Sequence, residues 1–260
     1  MKSTFCSLFT MSLFILLGLN EKAHAQIVNI QSALNGDISD GPGLSAELRQ
    51  EKKGGNTETE RLSGQGTVTY KRPEDLWLLL LRREYSTESG QSSSDNYFEH
   101  LRYRYNITDH WGLEAYIQVD ADQFRRSERR DVLGTGPRYQ FKVTENFDAA
   151  VSLSYMHERE TFSPHIGEPG EPDRETTRAA SVLYLNWKWP DCCTLSNVTY
   201  YQPEIGHVHN NKTLNESSLL LQINKHLSYR VSSNYAYNGR PPFGVKKVDT
   251  NFLQALVIKI

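Results

Sequence analysis

The sequence predicts an all-β fold: a single antiparallel up-and-down transmembrane β-barrel of about twelve strands. Three observations predict it. Apolar and polar residues alternate with period two, short turns alternate with longer polar loops, and an export-like segment leads the chain.

The leading segment comes first. Lys2 precedes an apolar stretch from Leu8 to Leu19, and Ala23-His24-Ala25 sets small residues at the two positions a signal peptidase reads. The stretch is too short to span a bilayer, so residues 1–25 read as a cleaved signal peptide with Gln26 as the first mature residue. Residues 26–41 read as a short periplasmic lead-in, and residues 42–260 as the barrel. Without Lys2, Lys22, Glu21 and Cys6, the mature net charge is -3 and only Cys192 and Cys193 remain as cysteines. Adjacent cysteines make no disulfide framework and no four-ligand zinc site.

The strands follow from alternation. From Trp111 to Asp122 the odd positions are apolar or small, while the even ones carry Glu114, Tyr116, Gln118, Asp120 and Asp122. A strand sorts that pattern onto two faces, whereas a helix would smear it. Phe147 to Tyr155 and Leu227 to Tyr237 repeat it. Short connections are expected at Arg72-Pro73-Glu74, Thr108-Asp109, Thr144-Glu145, Pro190-Asp191 and Lys225-His226. Longer ones are expected at Lys53–Asn56, Ser86–Asn96, Arg125–Arg130, Ser163–Asp173, Gly206–Asn211 and Gly239–Gly244. Short turns at one end and long loops at the other describe a meander. With an even strand count, both termini fall on the short-turn, periplasmic side.

Composition narrows the class. A mean hydropathy of -0.59 excludes a bundle of membrane helices, which need ~20 apolar residues each. A net charge of -2 gives no basic surface for nucleic acid, so none is expected as a partner. The polar strand face is too ionic to fill a small soluble barrel, so the apolar face turns outward to outer-membrane lipid. Trp77, Tyr85, Tyr97, Tyr105, Trp111, Trp187, Trp189 and Tyr229 fall near strand ends, where amphipathic rings suit headgroups.

That orientation predicts a charged lumen. The short Thr108-Asp109 turn makes the fourth and fifth strands antiparallel neighbours, which places Arg102 or Arg104 beside Glu114. The resulting ladder extends toward His100 and Gln118, with Asp120, Arg138 and Arg230 on the same inward parity. On the outward parity, a symmetric closure of the Ser86–Asn96 loop would oppose Arg83 and Glu99 at the outer headgroup level.

Gly54-Gly55-Asn56-Thr57, Asp75-Leu76-Trp77, the run Tyr97 to Tyr105 and Leu133-Gly134-Thr135-Gly136 resemble a bacterial family. Tyr200-Tyr201-Gln202-Pro203 and the block Arg240 to Thr250 resemble its closing portion. It is the salt-induced outer-membrane protein family, also called domain-of-unknown-function family 481, and the resemblance covers roughly residues 42–260. One departure is the ending Val257-Ile258-Lys259-Ile260, where the family tends to close on an aromatic residue. The resemblance implies an integral envelope protein, with the barrel assembly machinery as a partner.

Catalytic chemistry is thin. No Gly-x-Ser-x-Gly elbow occurs, and nothing brings His100 to Ser152 or Ser154. His207-Val208-His209 with Glu204 offers too few ligands for a closed transition-metal site. The expectation is a monomeric, cofactor-free barrel, not an enzyme, acting as a narrow channel for a small solute or in envelope maintenance under osmotic or salt stress. The alternatives are an outer-membrane lipase or protease, and a plugged structural or binding barrel.

Overall fold

The computed structural model describes residues 27–31, 38–53, 59–88, 91–141, 144–164, 170–190, 192–224 and 227–258. Residues 1–25, read from the sequence as a signal peptide, Gly54 to Thr57 and the expected connection at Lys225-His226 lie outside them. Twelve strands form one antiparallel sheet in chain order: β1 (Gly41–Lys53), β2 (Thr59–Lys71), β3 (Asp75–Glu88), β4 (Gln91–Asn106), β5 (Trp111–Asp122), β6 (Ser127–Gln140), β7 (Phe147–Phe162), β8 (Arg174–Trp189), β9 (Cys193–Glu204), β10 (His207–Gln222), β11 (Leu227–Asn238) and β12 (Val248–Ile258). Every strand pairs with its sequence neighbours, as a meander requires. β1 and β12 are the two edges, and no ladder joins them among the described residues.

The sheet wraps around a shared interior, because residues far apart in strand order meet there. Lys212 on β10 reaches Glu158 on β7, and Arg125, just beyond β5, pairs with Asp249 on β12. The ladder registers fix the two faces. His100 lies opposite Gln118, Arg104 opposite Glu114, and Glu114 opposite Gly136. Even positions of β3 to β10 therefore point inward. The outward face carries Trp77, Ile117, Leu133, Leu153 and Phe252, all exposed. Polar inside and apolar outside is the reverse of a soluble barrel.

An aromatic girdle marks the short-turn end. Trp77 packs on Tyr103, Trp111 on Tyr139, and Trp187 on both Phe147 and Trp189, with ring centroids 4.5–5.7 Å apart.

Three long connections expected from composition are mostly strand, among them Arg125–Arg130, where β6 begins at Ser127. β3 and β4 continue pairing up to Glu88 and Gln91, and β9 turns into β10 at Ile205-Gly206. Ser, Thr and Asn are common in loops, but a strand already aligned on its partner can extend its ladder through them when their hydroxyls pair across it. Ser86 and Ser94 show this, their hydroxyls 2.6 Å apart across the hairpin.

Candidate functional site: the occupied lumen

The lumen holds three tiers, each set by a different strand relationship. Nearest the short turns, Glu114 on β5 accepts from Arg102 and Arg104 on the adjacent β4, both at 2.8 Å. A two-residue offset on one strand face lets two guanidinium groups reach one carboxylate. His100 sits 3.2 Å from Gln118, whose amide donates to Asp120, so the line of polar contacts runs up the β4–β5 wall. Arg138 is buried on β6 opposite Gly112, while Arg230 stands exposed on β11.

Two inward glycines give this wall its shape. A Cβ on Gly134 would fall 2.3 Å from the Tyr116 ring, so the missing side chain makes room for that ring inside the barrel. Tyr116 then lies under the Arg102 guanidinium, 4.7 Å from centroid to Cζ, and stacks on His100. A Cβ on Gly136 would meet the Leu153 carbonyl oxygen on β7 at 2.0 Å.

The middle tier is the chain's own N-terminal segment. The sequence reads residues 26–41 as a short periplasmic lead-in; of its described parts, Ile38 and Asp40 meet Lys71 at the end of β2, but Ile27 to Gln31 enters the interior. Ile30 packs with Leu80 and Phe98 on β3 and β4. Ile27 packs against the other wall, among Tyr184, Val198, Tyr200 and Leu214. Its polar groups find wall partners: Asn29 donates to Glu216 at 2.6 Å, and the Ile30 N–H donates to the Tyr200 hydroxyl at 3.2 Å. The correction has a physical cause. Apolar side chains at 27, 28 and 30 complement an inner wall that is apolar at mid-height, a property that emerges only when β3, β4 and β7–β11 face one another. The cavity left beside the segment is about 30 Å³, room for one or two waters.

Above it lies an ion cluster that sequence reasoning missed. Glu158 on β7 accepts from Arg130 on β6 (2.7 Å), Arg178 on β8 (3.1 Å) and Lys212 on β10 (2.8 Å). Lys212 also reaches Glu160 at 3.0 Å, and Arg130 reaches Asp120 at 3.4 Å. Three cations and three carboxylates balance, and Glu158, Arg130 and Arg178 are almost fully buried. The sequence signal was inward parity on five separate strands.

The long-loop end is capped. Arg126 donates to the carbonyls of Ser163 (2.7 Å) and Phe243 (2.6 Å), and Arg174 donates to that of Arg240 (2.6 Å). Arg125–Asp249 and Arg174–Glu171 add ion pairs.

On the outer face the expected Arg83–Glu99 pair is corrected. Arg83 lies opposite Tyr97, and its guanidinium holds Asp95 through two bonds, 3.0 and 2.7 Å. Glu99 lies opposite Leu81. Both residues point outward as parity requires. The ladder's continuation to Glu88 opposite Gln91, with an irregularity between Ser86 and Thr87, shifts the register by two from a symmetric closure of the longer loop.

Among the described residues no group of three His, Cys, Asp or Glu could hold a metal ion. His207 meets only Glu204, at 3.5 Å.

Fold and lumen together define a membrane-type up-and-down β-barrel with a filled, charged interior. The chain belongs to the family described as protein of unknown function DUF481, which it matches over residues 49–260. It is 26% identical over 191 residues to the uncharacterized protein YdiY of Escherichia coli (strain K12), covering 72% of this chain and 71% of that one. Among solved structures, the NanC porin aligns with 83% of this chain and 100% of its own, at 13% identity and TM-score 0.46. The translocator domain of the autotransporter NalP from Neisseria meningitidis aligns with 89% of this chain and 92% of its own, at 14% identity and TM-score 0.39.

Proposed function

We propose that the protein is an outer-membrane channel for a small solute that stands shut in its resting form, latched by its own N-terminal segment. Export would use residues 1–25 as a cleaved signal, insertion would use the barrel assembly machinery, and lipid would surround the apolar face. No catalytic or cofactor role is assigned. The observation that carries the reading is Ile27 to Gln31 inside the lumen, with about 30 Å³ left beside it. The segment is held by a few hydrogen bonds and apolar contacts rather than by a strand ladder, so it can leave without unfolding the wall.

Planar-bilayer conductance tests this. The mature protein should be nearly silent, and a variant lacking residues 26–40 should conduct. Steady conductance by the intact protein would favour an open channel, and silence of both would favour a plugged structural barrel. Sidedness is tested separately at Glu168, which lies outside the described residues: Glu168→Cys should label in intact cells if the long loops face outward.

A further inference from the structure

The lipid-facing surface is interrupted on one side. Outward residues of β5, from Trp111 through Leu113, Ala115, Ile117 and Val119, form an unbroken apolar or small-residue line. On β9 and β10 the same face carries Asn197, Thr199, Asn215 and Ser217, all half-buried. Thr199 lies opposite Asn215 and Asn197 opposite Ser217, so the four form a square.

The side chains close a ring. Asn197 Nδ2 donates to Ser217 Oγ (2.8 Å), and Ser217 Oγ donates to Asn215 Oδ1 (3.1 Å). Asn215 Nδ2 donates to Thr199 Oγ1 (2.7 Å), and Thr199 Oγ1 donates to Asn197 Oδ1 (3.0 Å). The ring uses one N–H and one oxygen lone pair of each amide and leaves a second of each unused within it.

Depth makes this consequential. Asn197 and Thr199 stand four and six residues above Cys193, where β9 begins. With a ~3.3 Å rise and a ~40° tilt they lie roughly 10–15 Å up, near the middle of a ~25 Å apolar band. Acyl chains offer amides no hydrogen-bond partner, and unsatisfied polar groups at that depth are costly. The square is uncharged, and each amide presents a donor beside an acceptor, so an identical square is its complement. Neither a cationic nor an anionic partner is matched in that way.

We infer that the β9–β10 face is a self-association surface, through which two copies of this chain pack side by side in the membrane as an isologous dimer. Polar side chains between two barrels then hydrogen-bond to one another instead of meeting lipid. This departs from the monomer expected from the sequence. It rests on the membrane placement proposed above and is independent of the latch.

Cross-linking in native outer membranes tests it, with Cys192→Ser and Cys193→Ser removing background thiols. Ser217→Cys should give a disulfide-linked dimer on mild oxidation, several-fold above Ile117→Cys on β5. In detergent and in lipid nanodiscs the unmodified protein should be dimeric. Asn197→Leu with Asn215→Leu should shift it to monomer while the barrel keeps its heat-modifiable gel mobility. If that pair fails to fold, Thr199→Val should weaken the dimer alone. A protein that needs detergent for extraction but is monomeric throughout would overturn the inference. So would Ser217→Cys cross-linking no better than Ile117→Cys, or only to a different protein, or lipopolysaccharide occupying the face. Extraction without detergent would overturn the membrane placement instead.

Discussion

Glu114 and Glu158 are both inward, buried carboxylates held by cations, yet they tie together different amounts of the molecule. Glu114 pairs with Arg102 and Arg104, both from the single adjacent strand β4. Glu158 draws Arg130, Arg178 and Lys212 from β6, β8 and β10. The first reinforces a hairpin whose backbone ladder already holds it. The second adds to two such neighbour contacts, from β6 and β8, an arm from β10, which no ladder connects to β7, so that part of its contribution depends on the curl of the whole sheet. A contact between ladder partners stabilises local structure, whereas one across the lumen stabilises closure.

The largest effect should come from Glu158→Gln. It leaves three buried cations short of their shared acceptor, and breaking a buried ion cluster costs about 3–5 kcal/mol. Urea unfolding in lipid vesicles should report that loss, and Lys212→Met should show part of it by cutting only the cross-lumen arm. If Lys212→Met is neutral, the walls do not need that link and the contrast with Glu114 collapses.

Gly134→Ala should follow, at about 1–3 kcal/mol, because the added methyl displaces the Tyr116 ring from the wall. Tyr116→Ser in the same chain should recover part of the loss by making room. Failure to recover any would point to the backbone rather than the ring.

Glu114→Gln should cost about 1–2 kcal/mol, less than Glu158→Gln, since Arg104 is nearer water at the short-turn end and the β4–β5 ladder persists. Equal losses for the two glutamates would erase the distinction between hairpin and closure contacts.

Arg83→Ala should be the smallest change, below about 1 kcal/mol, because its pair with Asp95 sits on an exposed rim. A cost comparable to Glu114→Gln would show that this rim is desolvated.

Particular residues show how far the sequence could be read. The strand from Trp111 to Asp122 was legible because period-two alternation is a local property of one strand. Arg102, Arg104 and Glu114 were legible because a short turn makes β4 and β5 neighbours and parity limits the register. Arg83 was placed on the correct face but beside the wrong acid. Parity fixes the face, but the register depended on where the chain turned above Glu88, and Ser-rich composition permits either a loop or a longer ladder.

By itself, then, the sequence determined strand count, inward and outward faces, the charged character of the lumen wall and the neighbour-strand ion pairs, because each depends on spacing within one strand or across one turn. The tertiary structure alone decided that Lys212 meets Glu158, that Ile27 and Ile30 occupy the interior, and that four polar side chains close a ring on the outer face of β9 and β10. Those contacts join segments tens of residues or more apart in the chain, or follow from a register fixed by distant pairing. Their energies exist only after the sheet has curled and each strand has found its place.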